Sequence, residues 1–257
     1  MAPLLEVRDV SLHFGGLAAL KEVTLGIEPG ERLALIGPNG AGKTTLFNVL
    51  TGQLKPSAGS VFFKGQDITR EKVFARTQMG IARSFQITSL FLYQTVHVNA
   101  MIALQGVRKG RYNVWRGLTR DKQIQKDSQA LLESAGLWDL REAVVSSLAY
   151  GQQRKLEIAL SLASGPELLL LDEPSCGLTT SESADITAHI KDLGSTITVL
   201  MIAHDMDLVF GVADRVMLLH YGQIMCEGTC EEIRANQMVR DIYMGSRKTY
   251  DPGRIAN

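Results

Sequence analysis

The sequence predicts an α/β fold, a parallel sheet joined to an antiparallel β portion and interrupted by a helical lobe. Three observations carry this. Gly37-Pro38-Asn39-Gly40-Ala41-Gly42-Lys43-Thr44 is a complete G-x-x-x-x-G-K-[ST] phosphate-binding loop, set between the apolar run Leu33-Ala34-Leu35-Ile36 and the helix-compatible Thr45-Leu46-Phe47-Asn48-Val49-Leu50. Glu167–Leu171, Thr196–Ala203 and Arg215–Leu219 are short apolar runs separated by helical patterns, as expected of strands buried on both faces. Residues 88 to 163 carry helical spacing with few strand signals.

In chain order, residues 4 to 28 and 60 to 63 alternate apolar and polar residues, with turn signals at Gly15-Gly16, Pro29-Gly30 and Lys64-Gly65. These are expected to form the antiparallel portion. In the phosphate loop the glycines let backbone N–H groups turn inward around phosphates, and the new helix adds its positive N-terminal end. Lys43 is placed to neutralise terminal phosphate oxygens and Thr44 to offer its hydroxyl to Mg²⁺, so Gly37 to Thr45 form the candidate nucleotide-binding stretch.

The helical lobe contains a basic run between Val107 and Lys126, including Arg108, Lys109, Arg111, Arg116 and Arg120 with Tyr112 and Trp115 interleaved. A solvated helix and loop is the plain reading, and contact with lipid headgroups or a partner protein is the alternative. After the lobe, Leu168-Leu169-Leu170-Leu171 ends in Asp172-Glu173-Pro174. Ligands of open α/β sheets collect at the carboxyl ends of strands, where the phosphate loop also begins. Asp172 is expected to hold Mg²⁺ directly or through water, and Glu173 to accept a proton from the attacking water.

Composition narrows the class. The 257 residues are 45% apolar, enough to bury a sizeable core, and 27 basic residues balance 27 acidic ones. No whole-molecule field therefore favours nucleic acid, and partners must be chosen by local surfaces. Cys176, Cys226 and Cys230 form no C-x-x-C pair and no even framework, which suits a reducing compartment. The N-terminal residues lack the basic and apolar regions of a signal peptide, and no run approaches the ~18 apolar residues of a membrane span.

Leu148-Ala149-Tyr150-Gly151-Gln152 precedes an amphipathic stretch that stops near Gly165-Pro166, and its start is a natural anion site. Here the chain resembles the nucleotide-binding subunits of ABC transporters, whose signature reads L-S-G-G-Q or L-S-Y-G-Q shortly before the acidic strand. The resemblance covers nearly all of residues 4 to 246. It implies a P-loop ABC-type ATPase domain with an antiparallel β subdomain, an inserted helical subdomain at about 88 to 163 and a tail over 247 to 257. It further implies that Gln86 is the glutamine that touches Mg²⁺ and senses the membrane partner, that His204 is the switch histidine near the γ-phosphate, and that Phe14 stacks on adenine. Ser175-Cys176-Gly177-Leu178 resembles the D-loop. Ala149, Gly151 and Gln152 would contact the nucleotide of a second subunit. Ala149 departs from the family, which places a serine there.

The family sandwiches two ATP molecules between two such subunits, so one copy of each motif implies a chain that pairs, with itself or with a different ATPase. Phe14-Gly15-Gly16-Leu17, Gly80–Gln86, His204–Val209 and Ile242-Tyr243-Met244-Gly245 look like importers of branched-chain amino acids and relatives. By that resemblance the chain would work at the cytoplasmic face of the inner membrane with two permeases and, indirectly, a periplasmic binding protein. Alternatives are a soluble ABC protein acting on ribosomes or DNA, a non-catalytic regulatory module, and an exporter subunit. The intact Lys43, Asp172 and Glu173 argue against the regulatory module, and the solute itself touches other subunits.

Overall fold

The computed structural model describes residues 2–84, 90–108, 121–194 and 196–245. Numbered along the chain, β1 (Leu5–Phe14), β2 (Leu17–Ile27), β4 (Ala58–Phe63) and β5 (Gln66–Asp67) form an antiparallel sheet in the order β2-β1-β4-β5. A second sheet takes β3 (Arg32–Ile36), β6 (Ile81–Arg83), β7 (Leu168–Asp172), β8 (Thr198–Ile202), β9 (Arg215–His220) and β10 (Gln223–Gly228), in the order β10-β9-β3-β8-β7-β6. Its strands pair in parallel except β10, which turns back antiparallel on β9.

The continuous apolar runs follow from covering both faces of this sheet. On β3, Leu33 and Leu35 pack with Leu46, Phe47 and Leu50 of α1 (Lys43–Leu50), while Ala34 and Ile36 face the opposite way. Strand β7 splits in the same manner, Leu168 and Leu170 to one side and Leu169 and Leu171 to the other. The second side is closed by Ile186 and Ile190 of α6 (Thr180–Lys191) and by Leu208 and Val209 of α7 (Met206–Val212). Fully burying each such side chain contributes about 1.5–3 kcal/mol, so a polar residue on either face of these strands would be costly.

Between β6 and β7 the described chain is helical: α3 (Val96–Val107), α4 (Lys122–Ser134) and α5 (Tyr150–Ser161) share a cluster that includes Val96, Ala100, Leu132, Leu148 and Leu156. Asp121 starts α4 by accepting from the N–H groups of Gln123 and Ile124. At the far end of α1, the buried Arg76 of α2 (Val73–Met79) donates to the carbonyls of Val49 (2.7 Å), Leu50 (2.6 Å) and Ile68 (2.6 Å). Burial lowers its pKa to about 10, which leaves the guanidinium charged at neutral pH. The short helices α8 (Cys230–Ala235) and α9 (Gln237–Gly245) end the described chain.

Candidate functional site

The turn from β3 into α1 is forced by close approach. A Cβ on Gly37 would lie 2.1 Å from the carbonyl oxygen of Leu219, so a larger residue cannot enter there. Gly42 has φ 107°, and a Cβ on it would come within 2.7 Å of the Ala19 carbonyl. The chain is thereby folded tightly over the start of α1, where unpaired N–H groups and the helix dipole attract anions. A cavity of about 400 Å³ opens at this point, lined among others by Phe14, Asn39, Gly40, Lys43, Thr44 and Glu173. Ala41, Gly42 and Thr45 also line it, as do Lys21 and Tyr221, two residues that sequence reasoning did not single out.

Lys43 is 6% exposed, and its Nζ donates to the carbonyls of Gly37 (2.7 Å) and Pro38 (3.0 Å). Burial lowers its pKa, opposed by the charges of Glu173 and Asp172. The ammonium thus donates to two loop carbonyls and feels the charge of two nearby carboxylates.

Asp172 ends β7 fully buried. Its Oδ2 accepts from Arg83 Nη2 at 2.6 Å, and its N–H donates to Ser84 Oγ at 3.3 Å. Arg83 also donates through Nη1 to Asn48 Oδ1 at 2.6 Å and lies 5.6 Å from the centre of the Phe47 ring. It therefore ties β7 to α1. The other carboxylate oxygen of Asp172, Oδ1, is buried with no hydrogen-bond partner among the described residues. A buried carboxylate oxygen left open suits a cation or a cation-bound water, so the hard oxygen donors present fit Mg²⁺.

Glu173 sits in the left-handed region at φ 47°, its N–H donating to Ile202 O at 2.8 Å. For a residue with a side chain this conformation costs about 1–2 kcal/mol, and it aims the carboxylate out of the strand line toward the cavity. Oε1 lies 3.3 Å from Nε2 of His204, which follows β8. Burial and the charge of Lys43 lower the His204 pKa against the opposing pull of Glu173.

Ala149 precedes α5 and offers no side-chain cap; its own N–H donates to Gln152 Oε1 at 3.1 Å. Gly151 N–H donates to Glu182 Oε1 at 3.1 Å. One turn on, Arg154 Nη2 donates to the carbonyls of Asp172 (2.6 Å) and Glu173 (2.9 Å), and its Nε to Pro174 O (3.1 Å). Helix α5 thus grips the acidic turn through its backbone.

The structure gathers Phe14, Asn39 to Thr45 and Glu173 around one cavity, with Gly37 and Pro38 behind it holding Lys43 through their carbonyls and with Asp172 and His204 beside Glu173. It does not bring Ala149, Gly151 or Gln152 to that cavity. Gln86 lies outside the described residues, as do Ser246 to Asn257 and most of the basic run. No cluster of three metal-ligating side chains occurs among the described residues, and Cys226 and Cys230 form no such site. Arg83 falls in the run Gly80–Gln86 and Glu182 in a Thr179-x-x-Glu182 capping spacing, but no signal in the sequence marked these two or Arg154 as site residues.

A glycine-rich phosphate loop opening α1, with an acidic strand end two strands away, defines a P-loop nucleoside triphosphatase. Residues 20–176 match the family model described as ABC transporter. Over 253 residues the chain is 39% identical to the high-affinity branched-chain amino acid transport ATP-binding protein LivG of Escherichia coli, covering 95% of this chain and 98% of that one. It is 36% identical over 252 residues to BraF of Pseudomonas aeruginosa, described in the same words, again with 95% and 98% coverage. Among solved structures, the ADP conformation of an ATP-binding cassette of an ABC transporter superposes with TM-score 0.87 at 29% identity, covering 95% of this chain and 100% of that one. The chain belongs to the ABC transporter family as an ATP-binding subunit, and it is an ATPase. No helix among the described residues is long and apolar enough to cross a membrane.

Proposed function

We propose that this chain energises an importer of branched-chain amino acids or related small polar solutes, working at the cytoplasmic face of the inner membrane. The observation that carries this is the end-to-end similarity to LivG and BraF, which spans 98% of each relative. In this reading ATP lies in the cavity with its phosphates on the backbone of Gly37 to Thr45 and its base against Phe14. Lys43 exchanges the carbonyls of Gly37 and Pro38 for phosphate oxygens. Thr44, Asp172 and Gln86 are the residues that would hold Mg²⁺, which would supply charge neutralisation on the phosphates. Glu173 takes the proton of the attacking water on its carboxylate, and His204 positions that carboxylate and the terminal phosphate.

Ala149, Gly151 and Gln152 lie away from this chain's own cavity, which supports a role in completing the site of a second ATPase subunit. Two permeases receive the movement, and a periplasmic binding protein delivers solute to them. Of the apolar stretch Leu90-Phe91-Leu92-Tyr93 beside Gln86 in the chain, the proposed permease-facing surface, Leu90 packs into the helical core while Phe91, Leu92 and Tyr93 are 53%, 37% and 88% accessible. Solute uptake by vesicles holding the assembled complex, together with ATP turnover by the isolated chain, tests this. The isolated chain is expected to be a poor ATPase that gains activity with its permeases and partner ATPase. Full, concentration-independent turnover by purified monomer refutes the shared site, and failure of labelled leucine and its analogues to enter the vesicles refutes the solute class.

A further inference from the structure

At the start of α5, the N–H of Gly151 in the first turn and the N–H of the N-cap Ala149 are already in use by the chain's own side chains. Gly151 N–H donates to Glu182 Oε1 at 3.1 Å, and a Cβ on Gly151 would stand 2.8 Å from that oxygen, so the carboxylate rests directly on the glycine's open face. The Ala149 N–H is taken by Gln152 Oε1. Glu182 is the third residue of α6 and is anchored by its other oxygen, Oε2, which accepts from Thr179 N–H (2.9 Å) and Thr179 Oγ1 (2.8 Å). The N–H and hydroxyl of Thr179, with the N–H of Gly151, hold this carboxyl below its usual pKa range, so it is an anion at neutral pH. An anion bound at a helix N-terminus fills the position that a phosphate would take.

We propose that Glu182 is a built-in competitor for the partner subunit's γ-phosphate: it occupies the Gly151 amide in the unpaired chain and must swing away before the shared site closes. The inference rests on the reading above, in which α5 completes the other subunit's site. Two anions cannot share one N–H group, and a phosphate arriving beside a fixed carboxylate meets like-charge repulsion. The anchoring by Thr179 has a second effect. Release from Gly151 costs Glu182 one of its hydrogen bonds and leaves the α6 cap in place, so the gate can open without unravelling the helix. Closure is thereby set to need more ATP than an uncovered signature would.

The test uses the full chain carrying Glu173→Gln, which keeps bound ATP unspent, titrated with ATP in the presence of the ATPase subunit it pairs with. Association is read by sedimentation. Glu182→Gln removes the charge and keeps the reach. Glu182→Asp keeps the charge at the α6 N-terminus but is one methylene too short for Gly151. Both are expected to lower the ATP concentration for half-maximal association roughly three- to tenfold, with ATP binding to the isolated chain unchanged and melting temperature preserved. Gly151→Asp, which fixes a carboxylate at the same place, is expected to abolish association. If Gly151→Asp associates as the parent does, or the parent never associates, the shared-site reading falls and this inference with it. If Gly151→Asp is dead while both Glu182 variants keep the parent's midpoint, the competitor role alone is overturned.

Discussion

Arg83 Nη2 and Asp172 Oδ2 meet at 2.6 Å with the arginine side chain 12% and the aspartate 1% exposed, joining residues 89 positions apart. Removing one partner of a buried pair leaves the other charge without compensation, a loss of about 3–5 kcal/mol. Arg83→Met is expected to destabilise the fold by that order in urea unfolding, and adding Asp172→Asn should recover part of the loss. Additive effects in the double mutant would show that the two side chains do not depend on each other.

Glu173→Gln and Lys43→Ala should separate chemistry from binding. The amide keeps the shape of Glu173 while losing the proton acceptor, so turnover in the assembled complex should nearly vanish while nucleotide affinity stays close to wild type. Lys43→Ala removes a buried cation from the phosphates and should weaken nucleotide binding itself. Phosphate release by the Gln variant within a few-fold of wild type, or an unchanged binding isotherm for the Ala variant, would remove the respective role.

Ala149 occupies the N-cap of α5 with no acceptor to offer. Ala149→Ser supplies a hydroxyl, which should stabilise the helix start by about 1 kcal/mol and provide the contact to a partner's phosphate that the family signature carries. Turnover of the assembled complex is expected to rise several-fold at limiting ATP, with no change in ATP binding to the isolated chain. An unchanged ATP dependence would mean that the serine is dispensable here.

His189 on α6 is 6% exposed, its Nε2 has no hydrogen-bond partner among the described residues, and burial, then Lys155, lower its pKa from 6.5 to about 4 against the pull of Asp192. Below pH 6.5 the unfolded chain gains a proton that the folded chain refuses, so stability is present above that pH and is lost as pH falls toward 4. The full loss is about 3 kcal/mol. The urea midpoint should drop across this window, and His189→Gln should flatten the drop. An equal slope in the variant would place the acid sensitivity elsewhere.

The legible parts of this protein are the local ones. The phosphate loop is eight consecutive residues, and β3, β7 and β8 announce themselves because both faces of each are covered. By contrast β10 was not foreseen: Gln223–Gly228 alternates exposed and half-buried positions at the sheet edge, so its pattern is weak. The three residues of β6 are too few to carry a period. Arg83 at Asp172 and Glu182 at Gly151 are pairs 89 and 31 residues apart, made by topology. The Thr179-x-x-Glu182 spacing announces a helix cap and Arg83 falls in the run Gly80–Gln86, but neither pattern names the distant partner until the sheet is assembled.

Arg76 gives the phosphate-binding helix an anchor that owes nothing to nucleotide. Its guanidinium collects the last carbonyls of α1 and, through Ile68, the neighbouring antiparallel sheet. An eight-residue helix in isolation would be marginal in water. Fastened at its lower end and packed along one side, it stands complete before any ligand arrives. Binding free energy that would otherwise go into ordering the loop and its helix is then free to drive motion between subunits.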